Sequence, residues 1–390
     1  MKRAFVVAVL LACSTSARAA VHFEVRVPAG LPAGDAVHVC GDHAALGAWN
    51  GSGVTLEKSA DGLWRARVAL PAGTAFEFKC TRGTWETVEK DAAGGEIANR
   101  RGVASAGDDT VRVTVAAWRS GAEAAVARTH TITGTLVRHE RFPSKFVATR
   151  DLLVWLPPGY ERDHERRYGV VYLHDGQNVF DGATSFLPGK EWRADEAADG
   201  LIRAHRIPPV ILVAIPNTSA RVDEYTAEPG GPRGGGRSAD YFRFLVEEVL
   251  PFVNARYRTL TDPAHTAVLG SSLGGLVSLD LGLAHPERFG RIGCVSPAAW
   301  WADSAIVGRT RRAPKLPLRI WMDIGTAEGS LRPDGTREAV TDARALRDAL
   351  LVAGWREGVD LHYEEFEGAP HNEDAWAARI GRILEYLTAP

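Results

Sequence analysis

Six near-continuous apolar runs constrain this chain more than any other feature: "YGVVYLHDG" from Tyr168, "PVILVAIPN" from Pro209, "TAVLGSS" from Thr266, "RIGCVSP" from Arg291, "LRIWMDIG" from Leu318 and "LHYEEFEG" from Leu361. A strand that alternates apolar and polar residues wets one face. A strand apolar throughout is buried on both faces, as in a parallel sheet covered by helices. Helical periodicity fills the gaps. In "ADYFRFLVEEVLPFVNARY" (239–257), Phe242, Leu245, Val246, Val249 and Val253 recur at helical spacing, and Trp376, Ile380, Ile383 and Leu387 repeat the pattern near the C-terminus. Strand and helix alternating at this scale predict a doubly wound, mostly parallel α/β domain over 135–390. Two edge-like strands, "TITGTLVRHERF" and "DLLVWLPPGY", lead into it.

The first third has a different texture. Short alternating runs ("VHFEVRV", "AVHVCG", "LWRARVAL", "AFEFKC", "DTVRVTVAAW") are separated by Gly-, Pro-, Asp- and Asn-rich turns, which predicts a small all-β sandwich over 20–118. Residues 119–134 are small and polar, a linker. Before the first strand, "MKR", an apolar stretch of about ten residues and "ARA" (17–19) form an export signal over 1–19, too short to span a bilayer. The chain is therefore expected to be exported, periplasmic or secreted, with no transmembrane segment. "LLAC" is a weaker match to a lipid-attachment site at Cys13. Removal of the signal leaves Cys40, Cys80 and Cys294, of which Cys40 and Cys80 end strands of one region and are open to pairing. A net charge of −2 with interspersed signs excludes a nucleic-acid footprint.

Chemistry concentrates at "AVLGSSLGGLVSL" (267–279), where a strand runs into a helix through a turn centred on Ser272. A sharp turn that lifts a hydroxyl above a sheet edge leaves no room for side chains two residues away on either side. Only Ser272 has glycine at both places, Gly270 and Gly274; Ser271 has Leu269 and Leu273. The helix starting at Leu273 aims its first amides at the same spot, where an oxyanion would develop. A serine needs a base, and three histidines follow it: His285 at a helix end, His362 inside a strand, and His371 in the loop after the last strand. His371 is the expected base. The acid is expected at Glu328, just past the strand ending at Gly325, with Asp323 inside that strand as the rival. The second oxyanion donor is expected to be the Gln177 backbone N–H. His174 has no ligand partner at metal-binding spacing, and neither a metal nor a cofactor is expected.

Together, "VVYLHDGQNVFD", "RVDEY", "GSSLGGLVSL", "SPAAWW", "DIGTAEG" and "HNEDAW" resemble the esterase D and enterochelin-esterase-like group of α/β hydrolases over roughly residues 135 to 388. The resemblance implies an α/β-hydrolase fold and a serine carboxylester hydrolase acting through an acyl-enzyme. It also implies an acid just beyond the "GT" pair, at Glu328. The group includes feruloyl esterases, siderophore trilactone esterases and mycolyl transferases. Trp300 and Trp301 either wall the substrate or form a buried pair; Arg221, Glu224 and Tyr225 either contact substrate or brace a loop. "EPGGPRGGGR" (228–237) lacks the leading strand and Lys-Ser/Thr of a phosphate loop, and is expected to be a mobile loop at the site mouth.

In the N-terminal region, "VHVCGDHAALGAWN", "GLWRARVALPAG", "FEFKC" and "TWETVEKD" resemble a starch-binding type of carbohydrate-binding module. Trp49 and Trp85 would then offer faces to sugar rings and Lys79 a hydrogen bond, with an α-glucan or another polysaccharide as partner. Two functions compete: an exported serine esterase acting on acylated glycans or related esters, and a carbohydrate-binding protein whose α/β domain is non-hydrolytic or an acyltransferase.

Overall fold

The computed structural model describes residues 18–389, apart from 33, 48–50, 93, 95–96, 98, 106, 120–128, 187–188, 232–233 and 333–334. The chain divides into two compact units between residues 126 and 127. Residues 1–17 of the proposed signal, Cys13 among them, fall outside the described residues, as does Trp49, whereas Arg18 and Ala19 begin the first strand, paired with Pro71 and Leu70.

The first unit is all β. Its strands are β1 (Arg18–Arg26), β2 (Val37–Gly41), β3 (Val54–Lys58), β4 (Trp64–Pro71), β5 (Ala75–Thr81), β6 (Glu89–Lys90), β7 (Arg100–Val103), β8 (Asp109–Thr114) and β9 (Ala117–Trp118). Seven of them join in the order β7-β5-β2-β3-β4-β1-β8, and β6 pairs with β9. All neighbours in the seven-stranded order are antiparallel except β1 and β8. In β1, Val21, Phe23 and Val25 are buried while His22 and Glu24 face the rim, so strict alternation builds a one-sided core. Phe23 meets Phe78 edge-on, with centroids 5.2 Å apart, and Trp64 is buried beside them.

Cys40 and Cys80 are both buried and both free thiols. Their strands are adjacent, but the register sets Cys40 opposite Lys79 and Cys80 opposite Val39. Directly opposed residues share a face and the next residue takes the other face, so the two thiols point to opposite sides of the sheet. The pairing left open by the sequence is therefore not made.

The second unit holds an eight-stranded sheet ordered β10-β11-β13-β12-β14-β15-β16-β17. Its members are β10 (Thr135–Phe142), β11 (Arg150–Leu156), β12 (Gly169–His174), β13 (Val210–Ile215), β14 (Thr266–Ser271), β15 (Arg291–Val295), β16 (Arg319–Gly325) and β17 (Leu361–Phe366). From β13 to β17 the neighbours are parallel; β10 and β11 pair antiparallel. Of the two strands expected at an edge, only β10 lies there. β11 is flanked on both sides and buried from Leu152 to Leu156.

Burial on both faces explains the apolar runs. Val170, Tyr172, Val213 and Met322 belong to one core, while Val171, Leu173, Leu212 and Trp321 belong to the core on the other face. Each large aliphatic side chain so buried contributes roughly 1.5–3 kcal/mol. The helices that supply the two layers are α1 (Ala194–Arg203), α2 (Ser238–Arg243), α3 (Leu250–Arg256), α4 (Leu273–Ala284), α5 (Trp301–Arg312), α6 (Glu338–Val352), α7 (Glu373–Ala377) and α8 (Ile380–Thr388). Between α2 and α3 the chain widens into a π-helical segment, Phe244–Val249. Pro251 has no N–H to give the preceding turn, and the helix expected over 239–257 runs on through this wider turn without a gap, from Ser238 to Arg256. The buried stripe moves accordingly: Tyr241 and Phe244 are buried, and Phe242 and Val246 only partly so. Among the described residues no helix is long and apolar enough to cross a membrane.

Candidate active site

Ser272 sits between the end of β14 and the start of α4 with φ 58° and ψ −122°. Side chains rarely adopt this region, and a residue held there costs on the order of 1–3 kcal/mol. Close glycine contacts make the turn possible. A Cβ on Gly270 would lie 2.6 Å from the carbonyl carbon of Gly274, and one on Gly275 would lie 2.7 Å from the Val295 carbonyl oxygen. Ser272 donates its N–H to the Val295 carbonyl (3.1 Å) and accepts at its own carbonyl from Ala298 (3.0 Å), which fixes the turn against the end of β15. Ser271 is buried, whereas Ser272 is partly exposed, and its hydroxyl makes no hydrogen bond among the described residues.

The residue after Val295 carries the connection onward. Ser296, itself at φ 40°, donates its hydroxyl to Glu328 Oε1 (2.6 Å), and Glu328 Oε2 accepts from His371 Nδ1 (2.6 Å). Glu328 is fully buried, while the His371 side chain is 41% exposed. With Nδ1–H committed to the carboxylate, His371 turns Nε2 outward with its lone pair. Burial pushes the Glu328 pKa up, but the hydrogen bonds from His371, Ser296 and the Gly325 N–H outweigh it and hold the carboxyl below its ordinary value. The ring edge of Trp376 packs on His371 at 5.0 Å.

Asp323, the rival acid, does not touch His371. It accepts from Trp321 Nε1 (2.6 Å) and the Ser296 N–H (3.2 Å), and lies 3.4 Å from Arg379 Nη1. Burial pushes its carboxyl up to about 6 against the opposing pull of Arg379. Arg379 is buried, and its Nη2 donates to Ser296 Oγ (2.6 Å), so one cation braces the hydroxyl that holds Glu328. Sequence reasoning missed both Ser296 and Arg379. A signal for Arg379 existed: it falls within the apolar stripe of Trp376, Ile380 and Ile383, three residues after the first. His362 stacks on Trp321 at 4.2 Å, and His285 ends α4 bonded to Glu287; both take structural positions.

The loop after β12 faces α4. Asp175 has φ 55°, and the turn Gly176–Asn178 follows it. A Cβ on Gly274 would lie 3.2 Å from Asp175 Oδ2, so this loop abuts the N-terminal end of α4. Gln177 is fixed at its side chain, where Oε1 accepts from the Asn217 N–H (3.1 Å). Leu273 is the first residue of α4, so its N–H has no intrahelical acceptor. His174 is buried beneath the loop, bonded through Nδ1 to Tyr241 Oη (2.9 Å), and burial lowers its pKa to about 4.

Of the residues expected at the pocket, several are interior. Glu224 is buried and gripped by both Arg150 Nη atoms (2.8 and 2.6 Å), and Tyr225 is buried with its hydroxyl accepting from the Asp175 N–H (3.2 Å). Arg221 forks onto Asp175 with two 2.7 Å bonds. These three brace the loop; Glu224 and Tyr225 have no surface to offer a substrate. Trp301 is buried and bonded to the Glu228 carbonyl (2.7 Å), whereas Trp300 is 42% exposed. In the first unit Trp85 is half-buried on a one-turn 3-10 helix. Lys79 is buried, with Nζ donating to the Ile97 carbonyl (2.5 Å), so it does not stand ready for a sugar.

The Esterase family model, described as "Putative esterase", matches residues 145–387, and a Starch binding domain model matches residues 18–106. The ferri-bacillibactin esterase BesA of Bacillus subtilis (strain 168) is 28% identical over 241 residues, covering 57% of this chain and 80% of its own length. An alpha-amylase of Niallia circulans is 37% identical over 101 residues, 25% of this chain and 8% of the amylase. The solved structure of an IroE-like serine hydrolase from Shewanella oneidensis is similar in fold, with a TM-score of 0.53 at 20% identity, covering 65% of this chain and 80% of that one.

Proposed function

We propose, from the premise that the chain belongs to the esterase family, that its carboxylic ester hydrolysis runs through Ser272, His371 and Glu328. The observation that carries this reading is the 2.6 Å bond from His371 Nδ1 to buried Glu328, bridged through Ser296 to the backbone that clamps Ser272. Ser272 Oγ attacks the ester carbonyl carbon while His371 Nε2 takes its proton, and Glu328 steadies the imidazolium. The N–H groups of Leu273 and Gln177 donate hydrogen bonds to the carbonyl oxygen as it takes on negative charge. Collapse of the tetrahedral intermediate expels the alcohol, which leaves with the proton from His371. Water then attacks the acyl-serine by the same route in reverse. Nucleophile and base are not hydrogen-bonded to each other; such contacts commonly tighten only with substrate bound.

Acylated glycans are the proposed substrates, because an all-β, starch-binding type of domain shares the chain with the esterase domain. Trp300, the exposed member of its pair, would wall the acyl group. Export ahead of Ala20 would bring the enzyme to such a polymer. A second reading, a siderophore trilactone, is favoured by the BesA match, which spans most of that relative. Turnover of p-nitrophenyl acetate by the wild type but not by Ser272→Ala tests the mechanism. Relative kcat/KM on feruloylated or acetylated glycans against a catecholate trilactone decides between the substrates, and a preference for the lactone by orders of magnitude reverses the choice.

A further inference from the structure

The loop that ends in α1 gathers three carboxylates, Glu191, Asp195 and Glu196, each with an oxygen within 4.8 Å of the others. Proximity alone would mean little. What distinguishes the group is that each carboxylate has one oxygen held by the protein and the other bare. Glu191 Oε1 accepts from the Thr131 hydroxyl, which itself accepts from the Gly182 N–H (2.9 Å). Asp195 Oδ2 accepts from the Thr133 N–H (2.6 Å), and Glu196 Oε1 lies 3.4 Å from Arg193 Nε. Glu191 Oε2, Asp195 Oδ1 and Glu196 Oε2 are shielded from solvent and have no hydrogen-bond donor among the described residues. Glu191 is 5% exposed and Asp195 not exposed.

Buried carboxylates without partners are costly unless a cation joins them. We infer that Glu191, Asp195 and Glu196 bind a hard divalent cation of the calcium class, as a structural site apart from the catalytic residues. All-oxygen, carboxylate-rich ligation suits such an ion. The separations, all within 4.8 Å, lie inside the span of one ion with Ca–O distances of roughly 2.4 Å, and magnesium favours a shell that keeps several waters over an all-protein cage. The held oxygens supply the outer hydrogen bonds that orient ligands toward a metal. Bound there, the ion fastens the segment entering the second unit, through Thr131 and Thr133, to the loop whose Asn178 and Val179 carbonyls accept from Trp192 and Ala194. That loop also carries Gln177.

The test uses the full chain after chelator treatment. Calcium chloride should raise the melting temperature on the order of 5 °C at about a hundred times its Kd. Magnesium chloride should raise it less. Terbium chloride should give emission sensitised by tryptophan, with Trp192 adjacent in sequence. Asp195→Asn keeps an amide oxygen for Thr133 and relieves repulsion, so it should melt in chelator no lower than the wild type while its terbium affinity falls at least tenfold. Glu191→Gln should lose the response similarly. No calcium shift and no terbium emission in the wild type, or an undiminished response in both variants, overturns the site and leaves three carboxyls sharing protons.

Discussion

At the scale of single residues, the strained φ of Ser272 separates it from buried Ser271. Ser272→Ala and His371→Ala should each lower kcat by roughly 10⁴-fold or more, as loss of a member of a concerted set does. A fluorophosphonate should label Ser272; mass-spectrometric recovery of the adduct on Ser271 would rule the assignment out. Glu328→Gln should slow turnover by about 10³–10⁴-fold with the fold retained, because an amide cannot steady the imidazolium. Asp323→Asn should act on stability instead, since its carboxylate serves Trp321, Ser296 and Arg379. If Asp323→Asn abolishes kcat at an unchanged melting temperature, the acid is Asp323. The two carboxyls also oppose each other with pH. Asp323 is raised by burial from 3.8 to about 6, so between these values the folded protein keeps a proton that the unfolded chain has released. Its contribution therefore weakens as pH rises from about 4 to 6. Glu328 is held below its ordinary value, so its contribution is present above about 4.5 and is lost as pH falls through the folded value. Denaturant titrations at pH 4.5 and 7 should show the Asp323 component disappear in Asp323→Asn.

At the scale of elements, what the sequence revealed follows how local each cause is. The parallel strands were legible because burial on both faces leaves an unbroken apolar run, as in Val210–Ile215. The elbow was legible because the close approach of Gly270 to the Gly274 backbone demands glycine at 270; at Gly274 a Cβ would meet only side chains, Asp175 Oδ2 nearest at 3.2 Å, and the second backbone-crowded position is Gly275. Gly270→Ala should therefore push β14 off α4 and lower kcat on the order of 100-fold, the effect of a misplacement of about 1 Å. An unchanged kcat there would show that the turn tolerates a side chain. By contrast Gly200, exposed within α1 with nothing near its would-be Cβ, should accept alanine with a gain of about 0.5–1 kcal/mol, measurable as a rise in denaturant midpoint. What was not legible depends on distant partners. That Glu224 is a buried ion-pair member is written in Arg150, 74 residues earlier. Ser296 gains its role only when Glu328, Trp376 and Arg379 converge on one hydroxyl. The π-helical widening before Pro251 was signalled by the proline but masked by an apolar pattern that continues across it.

At the scale of the whole molecule, a starch-binding type of domain and an esterase domain on one chain raise the question of whether the first holds the second to a polymer. The hydrogen bond to sugar expected of Lys79 is not offered at the surface, because its ammonium is buried against the Ile97 carbonyl. Trp85 is the half-buried aromatic on which stacking would rest among the described residues. A ring stacked on an aromatic side chain gains about 0.5–1.5 kcal/mol, so its removal should weaken binding roughly 2- to 12-fold. The full chain should accordingly be retarded in a native gel containing soluble starch, and Trp85→Ala should migrate faster than wild type at equal starch concentration. Circular dichroism must show the variant still folded. Its kcat on p-nitrophenyl acetate should be unchanged, because no step of the chemistry uses a residue before 127. Lys79→Met should lower the melting temperature with little change in retardation; the opposite pattern would return Lys79 to the sugar site. Equal migration of wild type and Trp85→Ala in starch and in every other glucan tried would leave the first unit as a spacer.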